Sequence, residues 1–566
     1  MSTGSRVFSN SYNALMSKKI ILLFFFIPSL LFSQAEYVEV ANPVYNFLKR
    51  METLNLIEHY NPFELPKTRG EVGKFLKEVT SQENKLDAVD KKILEDLKVE
   101  FEYEIYGTLN YSERLIGEGS YNLLSQNEKY FFFDNDSERA NLFVNLLAQG
   151  EIIHRDNSTL NINSGTSLGL YGGEIRGTIL NKFGFLLRGF QGQVFGNRET
   201  ARLKKEVAYN FKYNLEPDEG YFDETFGYLS ADFDLLKLKL GRDRLLIGHG
   251  VLKPFAADNA PMFDYLSLNI NYDFLNFSYF HGKLLGNSTF INDTITGGSQ
   301  YVDEKYIGYH RLNFNISPSF SFGAGEMIIY GNRGIDLSYL NPFTFYKSVE
   351  HSNQDRDNSM LFFDINYKPA SGLKLFSSLL IDDISFGKIG TGWFGNQTLL
   401  HAGLFSANLY KIIPADISLE YLRIEPYTLT HRLPGNNFTH NGYNIGEDLQ
   451  PNSELFFSQI NYRFNHRLSC AISFTYAIHG ANPLDTDGSI RNVGGDINLG
   501  HRIMDSESVE FLDGIKEHLK RFSVFIFYEP VNQISFSINI NYLNNSLQNF
   551  INYKETHLFF LIGIRI

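Results

Sequence analysis

The chain has 566 residues, of which 20% are charged, and it contains 51 Phe and 33 Tyr but a single Trp. Its formal net charge of −13 disfavours nucleic acid as a partner, because the chain has no basic stripe that would neutralise phosphates. The single cysteine, Cys470, excludes an intramolecular disulfide, so hydrogen bonding and packing must hold the fold together.

The N-terminus has the pattern of a secretory signal peptide. Lys18 and Lys19 precede an apolar run from Ile20 to Phe32, and small Ser33 follows. A transmembrane anchor is the alternative, but the run is short for a span of ~20 residues. The pattern predicts a signal peptide over residues 1–33, with Met16 as an alternative start. The expected cleavage site contains no cysteine, which excludes a lipoprotein.

Residues 34–98 are predicted to form a small helical subdomain with three amphipathic helices. Asn42 and Pro43 suit the start of the first helix, and apolar residues follow at helical spacing. Thr68 and Glu71 form a capping box before the second helix. A third apolar stripe runs over residues 86–97.

From residue 99 to the end, apolar residues alternate with polar ones. Phe101, Tyr103 and Ile105 alternate with glutamates, which indicates a first strand there. The stretch 534–541 alternates Ile or Phe with Ser or Asn, and the chain ends on an apolar alternation at 558–566. Roughly 16 to 20 such segments of about 10 residues, separated by turn residues, are typical of a transmembrane β-barrel.

The turns also indicate a barrel over residues 99–566, because short turns such as 181–182 and 465–466 alternate with long polar loops. A closed barrel is the sheet that a bilayer accepts, because closure leaves no unpaired edge. A soluble β-sandwich would alternate as well, but it would not need so many aromatic residues. We expect the helices to lie in the periplasm and the long loops outside the cell. The long loops are predicted at 286–304, 426–453 and 480–490.

The stretch LLKLKLGRDRLLIGHG, residues 235–250, begins as a strand and breaks at glycines. The alternation places Arg242 and Arg244 on one face, which we expect to point into the barrel. No helix follows the glycines, so a phosphate-binding loop is excluded. His249 has no second histidine at ligand spacing, which argues against a zinc site.

This stretch is the first of four motifs that together resemble a known family. The motifs are GRD…GHG…ADNAPMFDYLSL (241–268), LSYLNPFTFYKSVEH (337–351), DNSMLFFDINYKPASGLKLFSSLLIDDI (357–384) and TGWFGNQT (391–398). In order and spacing the chain resembles the Wzi-like capsule-assembly proteins of Gram-negative outer membranes, in the branch common in Bacteroidetes. It departs from them at Ile247, where Trp is common, and at His249, where Pro is frequent.

The resemblance implies an all-β transmembrane barrel of about 18 antiparallel strands in the outer membrane, with an N-terminal periplasmic α-helical subdomain. It implies a lectin-like protein that binds and retains or organises capsular or related surface polysaccharide. It does not imply an enzyme or an export pore. The expected partners are this polysaccharide and outer-membrane lipid, and a monomer is expected.

Two groups of residues are candidate ligand contacts. The first contains charged and amide side chains that would contact an anionic glycan, since Arg binds carboxylates bidentately. The alternative is that these charges pair with each other inside the barrel. This group is Arg242, Asp243, Arg244, Asp258 and Asn259. The second group offers rings, donors and acceptors in loops. It is Trp393, Tyr427, His431, Arg432 and Asn436.

No catalytic, metal or cofactor site is predicted. Asp382 and Asp383 are adjacent on a strand, so they point to opposite faces and cannot flank one glycosidic bond. The run 485–488, DTDG, resembles the start of a calcium loop but is interpreted as a turn. A diffusion channel is the main alternative function, and a barrel hydrolase is a third possibility that rests on fold precedent alone.

Overall fold

The computed structural model describes residues 34–117, 121–136, 139–213, 219–258, 260–293, 297–354, 356–411, 413–547 and 552–566. The predicted signal peptide, residues 1–33, and the candidate residue Asn259 lie outside the described residues.

The N-terminal region forms the three predicted helices and a short fourth one. They are α1 Val44–Thr53, α2 Arg69–Ser81, α3 Ala88–Glu100 and α4 Glu102–Tyr106. The Asn42 side chain accepts a hydrogen bond from the Val44 N–H at 2.8 Å, and Thr68 and Glu71 complete the predicted capping box. The capping residues therefore identified the helix starts correctly.

The strand predicted to start the barrel at residue 99 is wrong, because residues 102–106 are helical. Phe101 and Tyr103 are buried, but the intervening glutamates are buried too. Glu102 accepts the N–H groups of Asn110 and Tyr111 at 2.7 and 2.8 Å. Alternation therefore did not separate a buried face from an exposed one, and the helical region extends past residue 98.

Eighteen long strands follow in the described part of the chain. They are β1 Ala140–Asn157, β2 Ile162–Ile179, β3 Phe183–Gly196, β4 Glu219–Asp232, β5 Leu236–Asp243, β6 Phe263–Tyr272, β7 Leu275–Asp293, β8 Gly297–Ser317, β9 Phe320–Gly331, β10 Asn358–Ala370, β11 Leu373–Asp383, β12 Gln397–Ser406, β13 Ala415–Ile424, β14 Ser453–Arg463, β15 Leu468–Ala481, β16 Ile515–Val531, β17 Ile534–Leu547 and β18 Tyr553–Arg565.

Each strand pairs antiparallel with its neighbours in sequence, and β18 pairs with β1 to close the barrel. Leu558 lies opposite His154, and Ile562 lies opposite Gly150. Short strands at Phe132–Asp136 and Phe211–Tyr213 extend the sheet locally. The closed sheet confirms the fold class and the strand number that the resemblance implied.

The two ends of the barrel differ in the length of their connections. At the short-turn end, strands are joined by turns such as 180–182 and 273–274. At the long-loop end, the connections include 244–262, 332–357, 384–396, 425–452 and 482–514. The predicted loop at 286–304 is wrong, since β7 and β8 extend through most of it as a long hairpin.

The outer surface of the barrel is apolar, as expected for strands in contact with lipid. On β17, Ile540 is 39% exposed, whereas Asn539 lines an internal cavity. The predicted assignment of the Ile face to lipid and the Asn face to the lumen is therefore confirmed for this strand.

Five further short helices lie in the connections of the described residues. They are α5 Arg198–Ala201, α6 Lys205–Asn210, α7 Leu337–Leu340, α8 Tyr346–Ser352 and α9 Asn408–Lys411. No helix within the described ranges is long and apolar enough to cross a membrane.

The N-terminal helices pack against the short-turn end. The N–H of Gly372, in the turn between β10 and β11, donates to the Thr53 carbonyl at 2.8 Å. Arg467, in the turn between β14 and β15, donates to the Asp96 carboxylate at 2.7 Å. The helical region therefore covers the end of the barrel with short connections.

The lumen has two unlike parts. The packed sector, enclosed by β6–β13, is filled with apolar side chains from the wall, the N-terminal region and inward-folded loops. They include Phe63, Leu252, Phe255, Phe280, Ile307, Met327, Met360, Phe362, Leu422, Phe438 and Ile445. The hollow sector, bordered by β16–β18 and β1–β5, contains a cavity of about 1030 Å³.

Candidate functional site

The stretch 235–250, which belongs to the first of the four motifs, begins on β5. Its side chains point to the sides of the sheet opposite to those predicted. Lys237 and Lys239 point into the barrel and are 5% and 2% exposed, whereas Leu240 points out and is 59% exposed. Lys237 pairs with Glu71 of α2 at 3.0 Å. The interior here is polar and the exterior is lipid, so leucine belongs outside.

Arg242 lies on the outer surface of the barrel, and the prediction that it points inward is wrong. It donates two hydrogen bonds to Asp264 of β6, at 3.0 and 2.7 Å. Both side chains are about half exposed, at 49% and 56%. Arg242 is two residues from Leu240 on the same strand, so both side chains point to the outside of the barrel.

Arg244 lines the cavity of the hollow sector, as predicted, but three carboxylates surround it. It forms ion pairs with Asp258, Glu224 and Glu206, and the distances to the last two are 3.1 and 3.5 Å. Asp243 accepts the Arg244 N–H at 2.7 Å and also pairs with Lys239. This arrangement neutralises the arginine and supports the structural alternative, in which these charges stabilise the barrel.

The rest of the stretch turns into the lumen and becomes part of the packed sector. Residues 246–247 pair as a short antiparallel strand with residues 64–65 of the N-terminal region. Glu420 on β13 accepts the N–H groups of Val251 and Leu252 at 2.6 and 3.0 Å. Gly250 has φ +70°, and a side chain there would force the Glu420 carboxylate to move.

His249 is at the centre of a buried charge network. Its Nε2 lies 2.9 Å from Asp364 of β10, and Arg311 of β8 donates to the same carboxylate at 2.8 and 2.9 Å. Burial lowers the pKa of His249 to about 4, so the imidazole is neutral near pH 7. This network ties residues 246–252, which we call the inward segment, to the wall of the barrel.

The long loop 425–452 also folds inward, and two of its four candidate residues are internal. Tyr427 is 0% exposed, and its hydroxyl donates to the Asn492 carbonyl at 2.9 Å. Asn436 is 2% exposed, and its amide donates to the Arg356 carbonyl at 2.8 Å. These two side chains stabilise loops and present no free surface to a ligand.

His431 and Arg432 remain near the surface of the same loop. His431 is half-buried, its Nδ1 accepts the Leu433 N–H at 3.1 Å, and burial lowers its pKa to about 4. Arg432 is exposed. The sequence grouped these residues with Tyr427, but the structure separates the surface pair from the buried ring.

Trp393 lies in the loop 384–396, where this loop joins the loop 482–514. The Gly392 carbonyl accepts the Val509 N–H at 2.8 Å, and the Glu507 carbonyl accepts the Phe394 N–H at 3.0 Å. The half-buried Trp393 ring packs over Gly395, which has no side chain to obstruct it. The ammonium of exposed Lys388 lies 4.2 Å from the ring centroid.

A stack of aromatic side chains fixes this junction. The Phe394 and His501 rings are parallel, with centroids 3.5 Å apart, and Tyr427 packs edge-on against both. Loops at the long-loop end are thereby locked to one another. The junction therefore forms an ordered surface at the long-loop end of the barrel, with Trp393 and Lys388 at its edge.

The two acidic motifs adopt the geometry that their sequences suggested. Asp382 points inward and accepts the Leu429 N–H at 2.7 Å, whereas Asp383 is exposed on the outside. The Gly488 N–H donates to the Asp485 carbonyl at 2.9 Å, which closes a turn. In the described ranges, no group of three or more His, Cys, Asp or Glu side chains is arranged to hold a metal ion.

The cavity of the hollow sector is lined by ion pairs. Lys204 pairs with Glu151, and Arg565 pairs with Glu174 at 2.8 Å. Its lining extends from Arg244, beside the long loops, to Arg467 in a short turn. The cavity therefore runs along the lumen with both charged and apolar side chains in its lining, and its arginines already hold carboxylate partners.

A family model for the capsule assembly protein Wzi matches residues 162–524, more than half of the chain. The chain belongs to the Wzi capsule assembly protein family. This confirms the resemblance carried by the four sequence motifs, three of which form the inward segment, the wall and the Trp393 loop.

The chain was also compared with solved structures. Wzi of Escherichia coli, described as a carbohydrate-binding β-barrel of the outer membrane involved in group 1 capsule assembly, matches with TM-score 0.54 and 11% identity over 93% of this chain and 99% of that one. OccAB4 of Acinetobacter baumannii matches with TM-score 0.42 and 12% identity over 76% and 100%. OprD of Pseudomonas aeruginosa matches with TM-score 0.40 and 12% identity over 75% and 95%. A search of curated proteins found no matching sequence.

Sequence reasoning did not find the residues that close the packed sector. Asp364, Arg311 and Glu420 come from three different strands and meet the inward segment only in the folded barrel. The one local sequence feature that could have identified them is a charged residue at a position of the strand that points into the barrel, next to apolar residues. The packing of Lys388 against Trp393 was also missed, although both lie in the same glycine-rich loop.

Proposed function

We propose that this protein binds polysaccharide at the long-loop end of the barrel and retains it on the cell surface without chemically altering it. In this proposal the barrel lies in the outer membrane, with the long loops outside the cell and the N-terminal helices in the periplasm. The observation that carries the proposal is the interlocked loop surface above a lumen filled in its packed sector. Family membership and the described carbohydrate binding of the Escherichia coli protein support it.

We place the sugar contact at Trp393 and Lys388. A half-exposed indole in a fixed loop offers an apolar face on which a sugar ring stacks, and the adjacent ammonium can pair with an acidic sugar. His431 and Arg432, on the loop 425–452, are further surface candidates. The hollow sector is a poorer site for an acidic glycan, because Arg244 is already paired with carboxylates.

The experiment is a binding measurement on purified protein with polysaccharide extracted from the surface of the same cells. We expect Trp393→Ala to weaken binding by about tenfold, equivalent to about 1.4 kcal/mol. Ile503→Ala is the matched control, since Ile503 is a fully exposed apolar residue in the adjoining loop and should not contribute. No binding by the unchanged protein would overturn the function, and unchanged binding by the Trp393 variant would overturn the site.

A diffusion channel is the second candidate, because the cavity of about 1030 Å³ runs along the hollow sector. Planar-bilayer conductance distinguishes the two functions. Stable open steps of porin size from the unchanged protein would favour the channel. We expect no such steps.

A further inference from the structure

The connection between β9 and β10, residues 332–357, lies on the outside of the barrel wall. On β7 and β8, Phe280 and Tyr309 point into the packed sector, so the alternate residues Tyr279 and His310 point out. The described part of the connection folds down over these outward side chains. We call its described residues, 332–354 and 356–357, the cover.

Ring packing and hydrogen bonds hold the cover to the wall. The Tyr279 hydroxyl donates to the Leu340 carbonyl at 2.7 Å. Phe343 stacks on Phe277, with ring centroids 5.3 Å apart. The cover therefore has a fixed position against β7.

The polar groups of this surface lie beneath the cover. Glu326 of β9 points outward but is 3% exposed. Its carboxylate accepts the N–H groups of Tyr346 and Lys347 at 2.9 and 3.4 Å, and His310 Nε2 lies 3.1 Å from it. A carboxylate on the lipid side of a barrel is costly unless protein groups satisfy it, and the cover satisfies Glu326.

A second buried ion pair fixes the end of the cover. Arg333 donates to both oxygens of Asp357, at 2.8 and 2.7 Å, and the Tyr339 hydroxyl donates to the same carboxylate at 2.8 Å. Asp357 is 0% exposed. Arg333 and Asp357 are thus turned towards one another, whereas His351 and Arg356, near the end of the cover, are exposed.

Between residues 335 and 345, the outer side of the cover carries large exposed apolar side chains. Leu337 is 77% exposed, Phe343 is 74% exposed and Phe345 is 55% exposed. Polar groups inside and large apolar groups outside are the reverse of the order expected in water. This order is the one expected where hydrocarbon is the solvent.

The position of the cover along β7 places it at the level of the bilayer. Phe277 is the third residue of β7, just after the short turn at 273–274. Exposed Lys283, six residues further along the same outward face, lies opposite Asp264, the partner of Arg242. A strand crosses the bilayer core in about 9–11 residues, so the contact at Phe277 lies on the bilayer side of these charges.

The neighbouring outer surface is continuous with the cover and is lipid-facing. On β6, Leu266 lies opposite His281 and is 38% exposed, and Tyr272 is 58% exposed. The apolar side chains of the cover extend this surface around the barrel, which identifies lipid as its occupant.

We propose that residues 335–345 of the cover are embedded in the membrane on the outside of the barrel, with Leu337, Phe343 and Phe345 in contact with lipid acyl chains. Non-helical backbone is tolerated at this depth only where protein groups satisfy it. Here the Tyr279 hydroxyl donates to the Leu340 carbonyl, and the Asp336 and Asn341 side chains accept the N–H groups of Ser338 and Phe343. The inference does not depend on the proposed polysaccharide binding.

The test uses the fact that Trp393 is the single tryptophan of the chain. In a Trp393→Phe background, Phe343→Trp supplies one fluorophore on the cover, and the protein is reconstituted in liposomes containing acyl-chain-brominated phospholipid. Ile540→Trp on the lipid face of β17 and Ile503→Trp in an outer loop are the matched controls. We expect the Phe343→Trp fluorescence to be quenched to the extent seen for Ile540→Trp.

Quenching by iodide in the aqueous phase measures the exposure of the same tryptophan to water. The proposal would be overturned if iodide quenched Phe343→Trp as strongly as Ile503→Trp and brominated lipid quenched it little. Protection from both quenchers would also overturn it, because a protein partner or a second copy would then cover this surface. Leu337→Trp provides a second reporter if Phe343→Trp fails to assemble, as judged by heat-modifiable gel mobility.

Discussion

The packed and hollow sectors are enclosed by one barrel, yet they have opposite interiors. In the packed sector, Phe63 and Phe255 pack against Phe362 of the wall. In the hollow sector, Arg244 and Lys204 bind carboxylates around a cavity of about 1030 Å³. The difference shows that strand alternation sets which face is inward, whereas the segments that enter the lumen decide whether that face is dry or wet.

The two sectors also place their charges differently. Arg311 and Asp364 are each 1% exposed and lie within an apolar core. Asp258, which pairs with Arg244 in the hollow sector, is 52% exposed. Breaking a pair in the packed sector therefore leaves a charge without water, whereas the same change in the hollow sector exposes the charge to solvent.

The largest effect is expected from Asp364→Ala, which removes the partner of Arg311 and His249. The buried Arg311 would keep only the more distant Glu64, at 3.6 Å, as an acidic partner, which should cost about 3–5 kcal/mol and release the inward segment. We expect the variant to show conductance steps in planar bilayers that the unchanged protein lacks.

Asp258→Asn is the control in the hollow sector, with an expected cost below about 1 kcal/mol because the side chain is half exposed. Its conductance should equal that of the unchanged protein. Equal conductance for all three proteins would contradict the distinction between the sectors.

A smaller effect is expected from charge on the outer wall of the hollow sector. Ile538→Arg should hinder assembly, since Arg at the middle of the bilayer costs about 2–4 kcal/mol. Asn539→Arg should be milder, because Asn539 borders the cavity. Heat-modifiable gel mobility measures the folded fraction, and equal losses for the two variants would reject the assigned facing of β17.

The most gradual effect is expected from acidification of the packed sector. Burial lowers the pKa of His249 to about 4, below its unfolded value of about 6.5. Its contribution to stability is therefore complete above about pH 6.5 and is lost as the pH falls towards 4, by up to about 1.4 kcal/mol per pH unit. Limited proteolysis of residues 244–262 between pH 7 and pH 4 should show increasing cleavage.

His249→Gln is the control for this pH dependence, because glutamine retains an amide donor towards Asp364 but does not titrate. The variant should lose part of the change in cleavage between pH 6.5 and pH 4. A pH profile identical to that of the unchanged protein would show that His249 does not carry the effect.

The sequence predicted the barrel well because its signals are local. Period-two alternation at 534–541 and the capping residues Thr68 and Glu71 report on neighbours a few residues away. The same rule failed at 101–105, where the glutamates between the apolar residues are buried as well. It also failed on β5, where lysines face the lumen and leucines face lipid.

The candidate site was predicted less well because its geometry depends on distant contacts. His249 and Asp364 are 115 residues apart in sequence, and Tyr427 is buried by Phe394 and His501 from two other loops. Nothing near Tyr427 in the sequence distinguishes an inward loop from a solvated one. The cover is a similar case, since the motif at 337–351 does not show that it packs on the outer wall.

The most direct test of the account is to delete the gene and compare surface polysaccharide in the cell pellet with that in the medium. We predict an unchanged total with a shift from the pellet to the medium, and restoration of the pellet fraction by the unchanged protein but not by Trp393→Ala. Polysaccharide that stays fully attached to cells lacking the protein would contradict the proposed retention and favour the channel.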